Sequence, residues 1–277
     1  MGQKMKKIFI CGSAGFLMSN FMRYMLYRTK DYEFTSIDNS KNVKSLYQHK
    51  KHTFHWGDAG NCDLIQALLN IEEPDVVIIG TTLPFPEYKT NCENIKSILL
   101  PTATICDHNF LKSPYIIRLV PDMDIKCSSR ALWNDVEAIT LKANGTVLRL
   151  PVCFGRRGKG KFEEALKNII LQTNKKPDTQ YMRVANANDV ASLLWYLIEN
   201  PMYGNVVRMP HLGFSSPLEM VNISVSVHGI SYANTNMLGC RSDIQNMGSW
   251  LPDSTSLEEA VVDTAKWFIM NKWITNI

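Results

Sequence analysis

The sequence predicts an α/β protein, a Rossmann-type doubly wound parallel sheet followed by a smaller mixed α/β C-terminal lobe. Three observations predict it. Short apolar runs alternate with longer helical patterns as far as Leu150, a glycine-containing turn joins the first run to the first helical pattern, and an aspartate ends the second run.

The elements follow in order. Lys6 to Cys11 reads as a buried strand, Phe16 to Tyr27 as a helix with Met, Leu and Phe at helical spacing, and Glu33 to Ile37 as a second strand, which completes a β-α-β unit. His52 to Trp56, Asp75 to Ile79, Tyr115 to Val120 and Thr146 to Leu150 continue the strands, separated by helical patterns at Cys62 to Ile71, Asn91 to Asp107 and Arg130 to Lys142. After Pro151 the texture changes. A basic loop, Gly155-Arg-Arg-Gly-Lys-Gly-Lys161, precedes helical patterns at Phe162 to Leu171, Ala187 to Glu199, Pro217 to Val227 and Leu257 to Asn271, with short strands at Gln180 to Val184 and Val206 to Met209. The expected division is therefore a dinucleotide-binding domain over 1–151 and a substrate lobe over 152–277, intertwined and with a diffuse boundary.

Composition narrows the function classes. In 277 residues, 45% hydrophobic and 20% charged side chains exclude a disordered chain, and a net charge of +4 lacks the excess of a dedicated nucleic-acid binder. The seven cysteines are odd in number and contain no C-x-x-C pair, so reduced thiols in the cytoplasm are expected and no zinc site is. Six histidines show no metal-binding spacing; His52 and His55 sit on one expected strand at an odd separation and face opposite sides. The apolar stretch Ile8 to Cys11 is too short for a signal-peptide core, Lys6 stands where a myristoylation motif wants Ser or Thr, and no window has the roughly 20 apolar residues a membrane span needs.

The turn Gly12-Ser-Ala-Gly15 carries the first chemistry. Gly12 permits a tight turn, and Gly15 lets a helix N-terminus approach a pyrophosphate, whose charge the unpaired N–H groups there stabilise. Asp38, 23 residues after Gly15, places a carboxylate where an adenosine ribose presents hydroxyls. A carboxylate there repels a 2′-phosphate, which favours NAD over NADP.

Further motifs stand in a fixed order: Gly12-Ser-Ala-Gly15-Phe-Leu, Asp38, Trp56-Gly57-Asp58, Pro74-Asp75-Val-Val-Ile-Ile-Gly80-Thr-Thr, Val147-Leu-Arg149-Leu-Pro151-Val-Cys-Phe-Gly155, Ala187-Asn188-Asp189-Val190-Ala191, then Arg241-Ser-Asp243, Trp250-Leu-Pro252 and Ser256-Leu-Glu-Glu-Ala. In these the chain resembles, over almost its whole length, the extended short-chain dehydrogenase/reductase family, specifically the NAD-dependent epimerases and dehydratases of nucleotide sugars. The resemblance implies cofactor contacts at Gly12, Ala14, Gly15, Phe16, Leu17, Asp38, Asn39, Asp58, Gly80, Thr81, Thr82 and Pro151, and substrate contacts at Asn94, Arg156, Arg157, Arg183 and Arg241. It further implies a nucleotide-sugar-like partner, with neither nucleic acid nor membrane, and a homodimer formed through the helices at Asn91 to Asp107 and Arg130 to Lys142.

The family's catalytic signature is missing. Members carry a Ser or Thr after the fifth strand and a Tyr-x-x-x-Lys in the next helix, the Lys lowering the tyrosine pKa so that it can exchange a proton with the sugar hydroxyl. Aligning Glu137 with the family's helix glutamate puts Pro121 at the Ser/Thr place, Ser129 at the Tyr place and Trp133 at the Lys place. The one Tyr-x-x-x-Lys present, Tyr47 to Lys51, falls between the second and third strands, on the far side of the sheet order from the nicotinamide. Two expectations compete: atypical epimerase, dehydratase or reductase chemistry, or a catalytically silent binding protein that senses a dinucleotide or pairs with an active homologue. If another group moves the proton, Asp122 leads, because it leaves the fifth strand at its C-terminal edge; Ser129, Asp124, Lys126, Cys127 and Cys153 follow.

The loop from Gly155 to Lys161 also satisfies the first seven positions of a P-loop, but Phe162 stands where a hydroxyl should bind magnesium. Its basic side chains, Arg156, Arg157, Lys159 and Lys161, are expected either to face a diphosphate or to be solvated.

Overall fold

The computed structural model describes residues 5–28, 31–39, 49–81, 92–122, 130–158, 161–170, 179, 181–210, 213–228 and 256–270. The chain divides into two compact units, Met1–Leu150 with Ala191–Met209, and Pro151–Val190 with Pro210–Ile277.

The first unit contains a sheet of seven parallel strands: β1 (Lys6–Cys11), β2 (Tyr32–Asp38), β3 (His52–Trp56), β4 (Val76–Ile79), β5 (Tyr115–Pro121), β6 (Thr146–Leu150) and β9 (Val206–Arg208), in the order β3-β2-β1-β4-β5-β6-β9. The order reverses between β1 and β4, which opens a crevice above their C-terminal ends. The predicted doubly wound α/β fold is the one observed.

Alternation along the strands explains the helices on both faces. Phe9, Cys11, Ile37, Val77, Ile79 and Ile116 point to one side and form a core with Ile65, Leu68 and Leu69 of α2 (Cys62–Glu72) and Ile105 of α3 (Cys92–Cys106). Val120 and Val147 continue that face under α4 (Arg130–Lys142), where they meet Leu132, Trp133 and Val136. On the opposite face Phe34 meets Phe21 of α1 (Phe16–Arg28) edge-on, and Tyr24 of α1 packs against Trp195 of α6 (Ala187–Glu199). Lys6, Tyr32 and Glu199 tie β1 and β2 to the end of α6: the Lys6 ammonium lies 3.1 Å from the Glu199 carboxylate, which also accepts a hydrogen bond from the Tyr32 hydroxyl.

Many element ends shift by one or two residues from the sequence reading, and three differences stand out. β4 runs from Val76, one residue after the expected start, although Asp75 still bonds both neighbouring strands: its N–H donates to the Lys7 oxygen and its oxygen accepts the Tyr115 N–H, each at 2.9 Å, while its carboxylate accepts from the Lys7 N–H at 3.1 Å and from Lys112 Nζ at 2.7 Å. The helix read to Ile71 runs to Glu72, with Asn61 capping its start by accepting the Leu64 N–H. Residues 191–209 return to the first unit as most of α6 and β9, which pairs beside β6 through the Val147 N–H to Asn205 and the Met209 N–H to Arg149; a contiguous division at 151/152 lacks this return.

The second unit holds a three-stranded sheet, β7 (Val152–Phe154), β8 (Met182–Asn186) and β10 (Gly213–Ser215), in the order β10-β8-β7. β7 and β10 carry no signal long enough to read from the sequence. Helices α5 (Lys161–Ile170), α7 (Pro217–His228) and α8 (Leu257–Met270) enclose a core of Phe154, Phe162, Leu166, Val184, Met220, Val261 and Phe268. No helix among the described residues is long and apolar enough to cross a membrane.

Candidate functional site

The crevice between β1 and β4 is built by residues without side chains. Gly12 adopts φ +81°, a left-handed conformation, and a Cβ there would lie 3.0 Å from the Thr81 nitrogen and 3.2 Å from the Gly80 oxygen. The Gly15 N–H closes the turn onto the Gly12 oxygen at 3.2 Å, and the Ser19 N–H caps the first turn of α1 onto the Gly15 oxygen at 2.9 Å. Phe16 and Leu17 therefore open the helix, half-buried, with first-turn N–H groups that have no intrahelical acceptor. On the far wall Gly80 donates to the Cys11 oxygen at 2.9 Å.

Asp38 closes this turn. Its Oδ2 accepts the Ala14 N–H at 2.8 Å, so the carboxylate at the end of β2 is held against the glycine turn at the end of β1. Asn39 follows it, exposed. Two buried hydroxyls flank the crevice, Ser13 Oγ and Thr81 Oγ1, neither of which has a hydrogen-bond partner among the described residues; burying a hydroxyl unpaired is costly unless a bound group satisfies it. Sequence reasoning passed over Ser13, although it lies within the motif.

Asp58 lies in the turn after β3. Its Oδ1 accepts the Gly60 N–H at 2.9 Å, so it shapes that turn and stands exposed beside it. Pro151 is buried immediately after β6. Thr82, Ser129 and Arg241 lie outside the described residues, as do Asp124, Lys126, Cys127 and Tyr47; Asn94 falls in the first turn of α3, with its side chain outside the description.

At the end of β5, Asp122 donates its N–H to the Leu150 oxygen at 2.6 Å, and its carboxylate, 6% exposed, pairs with Arg208 Nε at 3.4 Å. The neighbouring Arg149 is gripped by Glu137 of α4 through two bonds of 2.8 and 2.6 Å. Asp122 thus belongs to a cluster of alternating charges across β5, β6 and β9. Cys153 is half-buried, and desolvation pushes its thiol up to about 12, which leaves it protonated and unreactive near neutrality.

Arg118, fully buried in β5, is the residue the sequence did not suggest. Its Nη1 donates to the Ile79 oxygen at 2.8 Å and its Nη2 to the Ile98 oxygen at 3.4 Å, while the guanidinium carbon sits 5.5 Å from the centre of the Trp133 ring. Burial lowers its pKa. A cation from β5 therefore lies against the Trp133 indole of α4.

In the second unit the basic loop is organised around an acid. Glu163 of α5, buried, accepts the Gly155 N–H at 3.0 Å, and a Cβ on Gly158 would lie 1.9 Å from its Oε1. The loop's first glycine thus donates to a carboxylate of the same chain. Arg156 forms a bidentate pair with Asp263 of α8 at 2.9 and 2.5 Å, and Arg157, at φ +68°, places its guanidinium carbon 6.0 Å from the centre of the Trp267 ring. Arg183 is half-buried on β8, paired in register with Phe214. Among the described residues no cluster of three or more His, Cys, Asp or Glu side chains could hold a metal ion.

Residues 8–83, which span β1 to the residues after β4, match the model of the NAD dependent epimerase/dehydratase family. Among curated proteins none matches the sequence. Solved structures share the fold at low identity. The Bordetella bronchiseptica enzyme WbmH in complex with NAD+ superposes with TM-score 0.79 at 14% identity, over 98% of this chain and 100% of that one. The dTDP-glucose 4,6-dehydratase of Bacillus anthracis in complex with NAD gives 0.76 at 15%, over 96% and 97%. The UDP-glucose 4-epimerase of Thermotoga maritima with UDP-glucose gives 0.71 at 12%, over 96% and 99%.

Proposed function

We propose that the chain binds NAD at the crevice between β1 and β4 and acts on a nucleotide sugar in an altered form of epimerase, dehydratase or reductase chemistry. The Ala14–Asp38 hydrogen bond carries this reading. It makes one rigid unit of the turn that would face a pyrophosphate and the carboxylate that would accept from a ribose, so both are addressed without rearrangement. The residues fit the cofactor: Gly12 to Leu17 would hold the pyrophosphate, Asp38 the ribose, and Gly80 and Thr81 the opposite wall, with Ser13 and Thr81 supplying hydroxyls that have no partner among the described residues. NAD, when bound, supplies a hydride acceptor and donor for a sugar carbon.

The proton half of that exchange falls to this chain's side chains. Asp122 is the described candidate, and Arg208 fixes its orientation at the mouth of the sheet. The diphosphate of the sugar nucleotide is assigned to Arg157, Arg183 and Arg241 with Asn94; Arg156 joins them only by exchanging Asp263 for phosphate. A cytoplasmic homodimer formed through α3 and α4 belongs to the same reading. The unpaired Cys11, Cys62, Cys106 and Cys153 support a reducing compartment.

A second reading, a silent binding protein, is favoured by the ion-paired Asp122 and the protonated Cys153. One experiment separates them. NAD binding is measured by equilibrium titration, and the 340 nm absorbance and the sugar products are followed with a panel of nucleotide sugars. A 340 nm change or an altered sugar establishes the enzyme, binding without turnover of any sugar establishes the binding protein, and no NAD binding overturns both.

A further inference from the structure

We propose that Arg118 is a positioning residue for the dinucleotide crevice, its guanidinium holding the peptide between Ile79 and Gly80 and so the wall that faces Gly12. The inference rests on the dinucleotide reading above and adds to it a side chain that touches no ligand.

The wall needs a holder. β4 gives way to Gly80, and a residue without a Cβ explores more backbone conformations than any other, so the chain leaving the strand is free to rotate there unless hydrogen bonds oppose it. The clearance beside it is small: a Cβ on Gly12 would lie 3.0 Å from the Thr81 nitrogen and 3.1 Å from the Gly80 carbonyl carbon. A rotation at Gly80 therefore moves the peptide packed against the glycine turn, and with it the space left for a pyrophosphate.

The peptide before Gly80 is held at both ends. Its N–H, that of Gly80, donates to the Cys11 oxygen at 2.9 Å, and its oxygen, that of Ile79, accepts from Arg118 Nη1 at 2.8 Å. Arg118 is the register partner of Ile79 on β5, so the guanidinium reaches its neighbour's carbonyl at the same level of the sheet. Its Nη2 donates to the Ile98 oxygen of α3 at 3.4 Å, which also accepts from Thr102 Oγ1 at 3.0 Å. Pro101 lies in this turn of α3 and lacks an N–H, so the helix has one bond fewer of its own there. One side chain thus ties α3 to the wall of the crevice.

The charge makes this more than packing. Arg118 is fully buried, no carboxylate among the described residues pairs with it, and its Nε has no partner. The Trp133 ring, centred 5.5 Å from the guanidinium carbon, compensates part of the charge. An apolar side chain of similar length would fill the volume without the desolvation cost, often at no loss of stability. Such a side chain cannot grip the Ile79 oxygen, and a charge-assisted hydrogen bond is roughly twice as strong as a neutral one. Stability and crevice geometry therefore part company at this residue.

The test uses the full chain with NAD, following binding by isothermal titration, unfolding by urea, and exchange of the Gly80 amide by NMR. Arg118→Met should unfold at the wild-type urea midpoint or above it, yet bind NAD on the order of tenfold more weakly and exchange the Gly80 amide faster. Arg118→Lys keeps a cationic donor and should fall between the two in affinity and in exchange. An arginine that only supports the core would lose affinity in step with stability, or leave Arg118→Lys no better than Arg118→Met; either result overturns the assignment. If Arg118→Met does not fold, Arg118→Lys decides: weaker binding with faster Gly80 exchange at the wild-type midpoint supports the assignment, and wild-type values of both overturn it. Asp38→Ala separates the two levels. Where it weakens NAD and Arg118→Met does not, the assignment of Arg118 is overturned while the dinucleotide reading stands. If the wild type does not bind NAD, both fall.

Discussion

Met18 and Gly80 occupy one volume: a Cβ on Gly80 would lie 2.5 Å from Met18 Cγ and 3.0 Å from its Sδ. Dinucleotide-binding turns usually place a small residue at the position of Met18 so that helix and strand can approach. Here α1 carries a large buried side chain, and the room for it is taken from the end of β4, where residue 80 has none.

This makes the pair a coupled unit. Gly80→Ala should destabilise by about 1–3 kcal/mol through overpacking, and Met18→Ala by about 2–5 kcal/mol through the cavity it leaves. In the double variant the new methyl enters that cavity, so the loss should fall short of the sum by about 1 kcal/mol or more. Urea unfolding of the four proteins reads the coupling, and strict additivity would contradict the shared volume.

The second expectation concerns cofactor choice. Asp38→Ala removes a charged acceptor and frees the Ala14 N–H, so NAD should bind roughly 10- to 100-fold more weakly. NADP should lose less, because the repulsion of its 2′-phosphate goes with the carboxylate. Isothermal titration with both cofactors checks the direction, and an unchanged NAD affinity would exclude Asp38 from the site.

A third follows from the tie between α6 and the sheet. Burial alone would raise the Glu199 pKa, but the Tyr32 hydroxyl and the Lys6 ammonium outweigh it and hold the carboxyl below its usual range. With the folded-state pKa depressed, the contribution to stability is complete above the unfolded value and is lost as pH falls through the folded one. Denaturant midpoints of wild type and Glu199→Gln should therefore differ by a constant amount above about pH 5 and converge below it. A gap that widened on acidification would refute the assignment.

Much of the first unit is legible because its information is local. β1 and β6 carry apolar runs that end where the chain turns, and Asp38 is found by its distance from Gly15. What escapes the sequence is held by distant partners. The Asp75 carboxylate engages Lys7 and Lys112, Arg156 finds Asp263 on α8, and Arg118 is buried under Trp133. No periodicity marks any of these, and an arginine in a strand of apolar residues reads as an edge position until its partners are known. β7 and β10, three residues each, are too short for a pattern to mark them, whereas the equally short β9 is marked by its paired valines.

Glu163 changes what the basic loop can recognise. A carboxylate tethered eight residues from the Gly155 amide it occupies competes with any free anion at an effective concentration on the order of millimolar. Phosphate arriving at the Gly155 amide must displace an intramolecular rival that never diffuses away. At Gly155 the backbone is therefore held against a free anion, and the guanidinium groups of Arg156 and Arg157 are what the described part of the loop has left to meet one.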